Sequence, residues 1–289
     1  MTSPVHRHLP LGAVTQFTDA AWVLWPEEKG NSGKTIANKH GFFAAAMAAA
    51  ARVRPRPLIA YNPCIGTRLP RHDTPEMVFF EPAEYELFLG AMPERWHVQA
   101  EFSLASMARP SEIGALTVGD VNRDTGAVRI NKAFKYTGTG WRLGPPKTRR
   151  GVRTVNVPFE TIELLDLDRS YDELLFHTRR GTPIRAAYFY QEAFLPALRE
   201  LVRVDDEGNV VADRLGGKRP SPYTLRHTGI SWRLLGGVPM FVVSRDAGHD
   251  SYDTTDKRYG HLDRTASAAA AQVVAAKIPR LNDTPDPAG

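Results

Sequence analysis

Arg109, Lys147, Arg226, His249 and Tyr259 are of types that can handle a phosphate group. Arginine presents a planar, permanently charged fork of donors, and a tyrosine hydroxyl can serve as a nucleophile. Tyr223 and Arg226 lie three residues apart, so on a helix they share a face. Arg109 stands at a turn and is followed by Glu112 at the start of a short helix. From Arg129 to Pro158 the chain carries Arg129, Lys132, Lys135, Arg142, Lys147, Arg149, Arg150 and Arg153 and no acidic residue. Such a stretch can track a nucleic-acid backbone, or it can be an ordinary solvated hairpin. Each residue taken singly has an equally plain structural explanation: a helix-end charge, a surface histidine, a half-buried packing tyrosine.

The elements that must position them follow from pattern. Residues 17–54 read as two helices, the second capped by Asn31 or Ser32 with Ile36, Phe43, Met47 and Ala50 at helical spacing. Prolines and arginines between 55 and 75 predict an extended interdomain linker. Glu81-Pro-Ala-Glu opens a helix, with Pro82 in its first turn where a missing N–H costs nothing. Another helix is expected over about 94–107, and Ser111 is expected to cap a short one through Leu116. Ala127–Phe134 and Val152–Val157 read as strands of a hairpin with a long loop, and Val202–Ala212 as a second small hairpin. Helices are expected at about 220–235, 239–246 and 252–277, with a disordered tail at 279–289. The fold class is mainly α with a small antiparallel β component, an α+β arrangement.

Composition narrows the class. The 289 residues are 42% hydrophobic and 24% charged, which excludes collagen-like, low-complexity and mostly disordered chains. The single cysteine, Cys64, forbids an intrachain disulfide and cannot alone form a thiolate metal cluster. The net charge of +5 is too small on this length to demand nucleic acid, but it is uneven. Residues 1–75 hold 9 basic and 4 acidic side chains, while 76–289 hold 28 of each. The longest apolar run, Phe42–Ala51, is about half what a membrane span needs, and the N-terminus lacks the apolar stretch of a signal peptide. A cytoplasmic protein without a membrane association is expected.

Taken in order, these pieces resemble the tyrosine recombinase (phage integrase) family. Arg109, Glu112, Leu116 and Asp120 match its "R-x-x-E-x-x-x-L-x-x-x-D" segment, and Lys147 through Pro158 is similar to its hairpin segment "K-T-x-x-S-x-R-x-V-x-x-P". Tyr223-Thr-Leu-Arg226-His227 is similar to the "H-x-L-R-H" box, Ala247-Gly-His249 to the "L-G-H" segment, and Thr254 through His261, with one more residue before the tyrosine, to the terminal "T-T-x-x-Y-x-H". The resemblance covers about residues 76–277. It implies a catalytic domain over 76–278, preceded at 1–70 by part of a helical, SAM-like core-binding domain, the two forming a C-shaped clamp on double-stranded DNA. It further implies Tyr259 as the nucleophile, Arg109 and Arg226 as the phosphate-binding arginines, His249 as an additional donor to the phosphate, Lys147 as general acid, and Glu112 in support. Lys132, Lys135, Arg149, Arg150 and Arg153 are the candidate DNA contacts. No metal and no cofactor is expected, because two arginines can neutralise the charge that grows on a phosphodiester. The segment 265–278 is expected either to pack as an ordinary helix or to dock onto a neighbouring protomer of a homotetramer on paired sites.

Two departures stand out. The box histidine is replaced by Tyr223, whose phenol, with an ordinary pKa near 10, is a poor proton acceptor at neutral pH. The first 70 residues are short for a core-binding domain plus a further arm-binding domain. The leading expectation is a site-specific recombinase that integrates or excises a mobile element through a 3′-phosphotyrosyl intermediate, without metal or ATP. The alternatives are a catalytically impaired remnant acting as a DNA-binding module, and a relaxing enzyme of the topoisomerase IB type.

Overall fold

A computed structural model describes residues 9–71 and 77–260. The expected helical continuation beyond Tyr259 and the tail lie outside the described residues, as does His261. The chain divides into two units, residues 1–76 and 77–289.

The first unit is built on helices α1 (Gln16–Glu28) and α2 (Gly33–Arg52). Thr15 caps the first, and Ser32 rather than Asn31 caps the second by accepting from the Thr35 N–H at 3.3 Å. Ile36, Met47 and Ala50 are buried as their spacing predicts, and Phe43 is half-buried. Asp19 is fully buried on α1, and its Oδ2 accepts from His40 Nε2 on α2 at 2.8 Å and from the Thr67 hydroxyl at 2.6 Å. The expected linker 55–75 is therefore corrected in its first half. Leu58 donates to the Ala50 carbonyl, the Asn62 side chain to that of Ala44, and Gln16 to that of Ile65. Prolines stop the helix here but leave the residues between them free to bond back onto it.

The second unit begins with α3 (Pro82–Ala91), a 3₁₀ turn (Glu94–Trp96) and α4 (His97–Ser106), then α5 (Pro110–Ile113). Arg109, not Ser111, is the N-cap residue of α5, and the Glu112 carboxylate reaches back to the Arg109 N–H at 2.8 Å. Strands β1 (Ala127–Ile130), β2 (Ala133–Tyr136), β3 (Trp141–Gly144) and β4 (Arg153–Asn156) replace the single long-looped hairpin. β1 pairs antiparallel with β4, while β2 and β3 pair with each other inside the connection. The Thr137–Gly140 turn has its own register, so the loop folds on itself instead of staying open.

After α6 (Phe159–Glu163) comes a helix the sequence pattern did not disclose: α7 (Ala186–Phe189), a π turn (Tyr190–Phe194) and α8 (Leu195–Leu201). The widened turn precedes Pro196, whose lack of an N–H would interrupt a regular α-helix. The hairpin of β5 (Val202–Val204) and β6 (Val210–Asp213) agrees with expectation. The described chain closes with α9 (Pro222–Leu235), α10 (Met240–Ala247) and α11 (Tyr252–Tyr259). Phe80, Phe88, Phe189 and Phe194 centre one core, and Met107, Ile230, Val243 and Tyr259 another. Among the described residues no helix is long and apolar enough to cross a membrane.

Candidate active site

Helix α9 passes close against α4, and Gly229 is why it can. A β-carbon there would lie 2.1 Å from the Leu104 carbonyl oxygen. That approach brings Arg226, one turn earlier on α9, to the end of α4. Met107 terminates α4 in the left-handed region (φ 52°), a conformation uncommon outside glycine, and its carbonyl accepts from Arg226 Nη1. Arg226 Nη2 donates at 2.7 Å to the carbonyl of Ala247 at the end of α10. Arg109 Nη2 donates at 2.8 Å to the next carbonyl, that of Gly248, and His249 follows directly. Gly248 itself has φ +65°, and a β-carbon on it would meet Arg153 Nη1 at 2.9 Å. Two arginines from distant parts of the chain thus grip successive carbonyls of one helix terminus.

Glu112 anchors the arrangement from below. It is 1% exposed, with Oε1 2.9 Å from Arg109 Nη1 and Oε2 3.0 Å from Arg153 Nη2. Burial alone would raise its pKa. The adjoining Arg153 charge and hydrogen bonds, with Arg109 beside them, outweigh that and hold it below the ordinary carboxylate range. Arg226 responds in the opposite sense. Burial, and then the neighbouring Arg109 cation, pull its guanidinium down to about 9, so it remains charged at neutral pH but poorly solvated.

His249 is buried, and its Nδ1 lies 2.6 Å from the Thr255 hydroxyl on α11. Tyr259, four residues further on α11, is fully buried, and its hydroxyl lies 2.7 Å from His227 Nδ1 on α9. It is also near enough to Arg226 for the phenol's charge to act on that guanidinium. The fold therefore brings Arg109, Arg226, His249, Glu112 and Tyr259 together. Tyr223 sits at the rim, 47% exposed, its ring centroid 6.4 Å from that of His227. Lys147 is exposed between β3 and β4 and makes no hydrogen bond or ion pair among the described residues.

Two of the candidate DNA contacts are engaged within the protein. Arg153 is 9% exposed and spends its donors on Glu112, the Asp246 carbonyl (2.6 Å) and the Gly151 carbonyl (3.0 Å), so it is an internal strut. Lys132 is ion-paired with Asp120 at 2.6 Å and bonded to the Thr117 hydroxyl at 3.0 Å, so its charge is matched within the protein. Sequence pattern shows that a cation exists, not whether a carboxylate remote in sequence has claimed it. Lys135 and Arg149 are exposed, and Arg150 is exposed while donating to the Asp250 carbonyl at 2.6 Å. Two residues lay within the matched segments but were given no role there: Thr255, which holds His249, and His227, which touches the Tyr259 hydroxyl. The helical spacing of Tyr223 and His227 was the available signal for the second.

Fold and site together place the chain in the tyrosine-recombinase class. Its fold is similar to that of the Tn1549 transposon integrase solved in complex with a circular intermediate DNA (TM-score 0.75, 21% identity, 93% of this chain and 90% of that one). It is also similar to XerH site-specific recombinase bound to a palindromic difH substrate (TM-score 0.60, 16% identity, 91% and 73%). The chain belongs to the phage integrase family, whose match spans residues 79–265. Among curated relatives it is 27% identical over 176 residues to the prophage integrase IntR of Escherichia coli, covering 55% of this chain and 41% of that protein. It is 20% identical over 213 residues to the ICEBs1 integrase of Bacillus subtilis, covering 71% and 56%. The chain thus spans about half the length of these curated relatives.

Proposed function

We propose that this protein is a site-specific recombinase that breaks and rejoins double-stranded DNA through a covalent 3′-phosphotyrosyl intermediate, and that it integrates or excises a mobile element. The observation that carries this reading is the convergence of Arg109, Arg226 and His249 on the α10 terminus, with the Tyr259 phenol beside them. Arg226 is a desolvated cation with the Arg109 and Arg153 charges near it, and an arriving phosphate diester would add counter-charge to that of Glu112. Tyr259 Oη attacks phosphorus, the bond to O5′ breaks, and Lys147 gives the leaving oxygen its proton. The phosphotyrosyl bond conserves the energy of the broken diester, so a second 5′-hydroxyl can reseal the strand without ATP. Lys135, Arg149 and Arg150 are left exposed to follow the DNA backbone. The proposed working form is a homotetramer on two DNA sites in the cytoplasm, with the C-terminal segment from 265 docking between protomers.

The test uses a pool of nicked duplexes with a randomised central segment, in which a cut strand loses the short piece that carries the new 5′-hydroxyl and so traps the intermediate. Wild-type protein should give SDS-stable protein–DNA adducts. Tyr259→Phe should give none, and Arg226→Ala should lose them while retaining noncovalent DNA binding. DNA retention without adducts in the wild type would leave only a binding module. Joints formed between two selected sites separate a recombinase from a relaxing enzyme.

A further inference from the structure

A phenol is a weak nucleophile until its proton has somewhere to go. The family's box histidine is Tyr223 here, and that side chain is itself a phenol, exposed at the rim. One turn along the same helix face stands His227, with Nδ1 2.7 Å from Tyr259 Oη. This is hydrogen-bond distance from a proton acceptor to the reacting atom, the geometric requirement for a general base. A neutral imidazole protonated on Nε2 leaves the Nδ1 lone pair directed at the phenol, and imidazole ordinarily titrates near 6.5. The Arg226 cation, close enough to feel the Tyr259 charge, favours the phenolate as it forms.

We propose that His227 is a catalytic residue, the general base that replaces the missing box histidine. The proposal rests on the strand-transfer reading above. In cleavage the Tyr259 proton passes to His227 Nδ1 as the Oη lone pair bonds to phosphorus. The electron pair of the broken P–O5′ bond leaves with O5′, which is protonated by a separate acid. In resealing the incoming 5′-hydroxyl gives its proton back to the conjugate base of that acid as O5′ bonds to phosphorus, the Oη–P bond breaks, and the His227 imidazolium returns its proton to Oη. Nothing is consumed, so one histidine serves both directions.

The experiment measures adduct formation on nicked duplexes selected with wild-type protein from the randomised pool. Asparagine can keep a hydrogen bond to the phenol where Nδ1 stood but is not basic. His227→Asn and His227→Ala should both slow adduct formation by at least about 100-fold, the usual span of acid–base catalysis, with DNA binding retained. Putting 3,5-difluorotyrosine at 259, whose phenol ionises more readily, should restore much of the rate in His227→Asn. A purely structural defect would not be restored. A substrate with sulfur in place of the bridging O5′ needs no acid for its leaving group, so it should rescue Lys147→Ala but not His227→Asn. Wild-type rates in His227→Asn would overturn the proposal and leave the histidine a positioning role. If wild-type protein forms no adduct with any duplex, the strand-transfer reading fails and the general base with it.

Discussion

Glu112 serves two arginines with one carboxylate, and that makes it the residue on which the site's charge balance turns. Its partners differ in what they lose without it. Arg109 is partly exposed and keeps the Gly248 carbonyl, whereas the Arg153 side chain is only 5% exposed and would be left as a buried charge facing other cations. Removing one member of such a buried pair costs about 3–5 kcal/mol. Glu112→Ala should therefore unfold at markedly lower denaturant concentration than the wild type, measured by urea titration. Glu112→Gln keeps the shape and should lose less. The pH dependence follows from the direction of the shift. The folded-state pKa of Glu112 lies below its unfolded value, so its contribution is fully present above an unfolded carboxyl value of about 4.3 and is lost as pH falls through the folded value. Stability of Glu112→Gln should accordingly decline less steeply than that of the wild type below about pH 4.

Helix α9 sets where Arg226 and His227 sit, and its position depends on the close approach at Gly229. Gly229→Ala would place a methyl against the Leu104 backbone, where no flexible side-chain end can yield. Forced separation of this kind typically costs about 1–3 kcal/mol. It should also weaken the bond from Arg226 to the Met107 carbonyl, so adduct formation should fall along with the melting temperature. Gly236→Ala, a methyl 3.1 Å from a carbonyl of its own helix near the far end of α9, is the control and should retain cleavage. Little of this was legible beforehand. The sequence disclosed α9 and α10 to within two residues, because periodicity and caps are local signals. It disclosed the motif residues because their order is distinctive. It could not disclose that Met107 would end α4 in a left-handed turn, or that Arg153 would turn inward to Glu112, 41 residues away. It missed α7, α8 and the π turn between them because Pro196 and an aromatic-rich sequence hide the helical period.

At the scale of the whole chain, the unevenly distributed charge and the buried carboxylate Asp19 bear on the first unit. Its acidic residues are few, and Asp19 is turned inward to His40 and Thr67, so its outer surface is more basic than the count suggests. The same carboxylate offers a way to watch this unit alone, because the chain has one cysteine and it lies beside Asp19. Burial, with the Asp19 charge and hydrogen bond added, pushes the Cys64 thiol up to about 12. Almost no thiolate exists at neutral pH, and alkylation of the folded protein by iodoacetamide should be slow. Asp19→Asn removes the charge and leaves His40 and the Thr67 hydroxyl without their carboxylate. An unsatisfied buried partner costs about 1–2 kcal/mol, which raises the population of opened molecules roughly 5- to 30-fold. Alkylation of Cys64, followed by intact-mass spectrometry, should accelerate by at least that factor, since the deprotonated fraction rises as well. Unchanged labelling in Asp19→Asn would mean that the cysteine is protected by packing alone, and that the Asp19–His40–Thr67 cluster does not hold this unit closed.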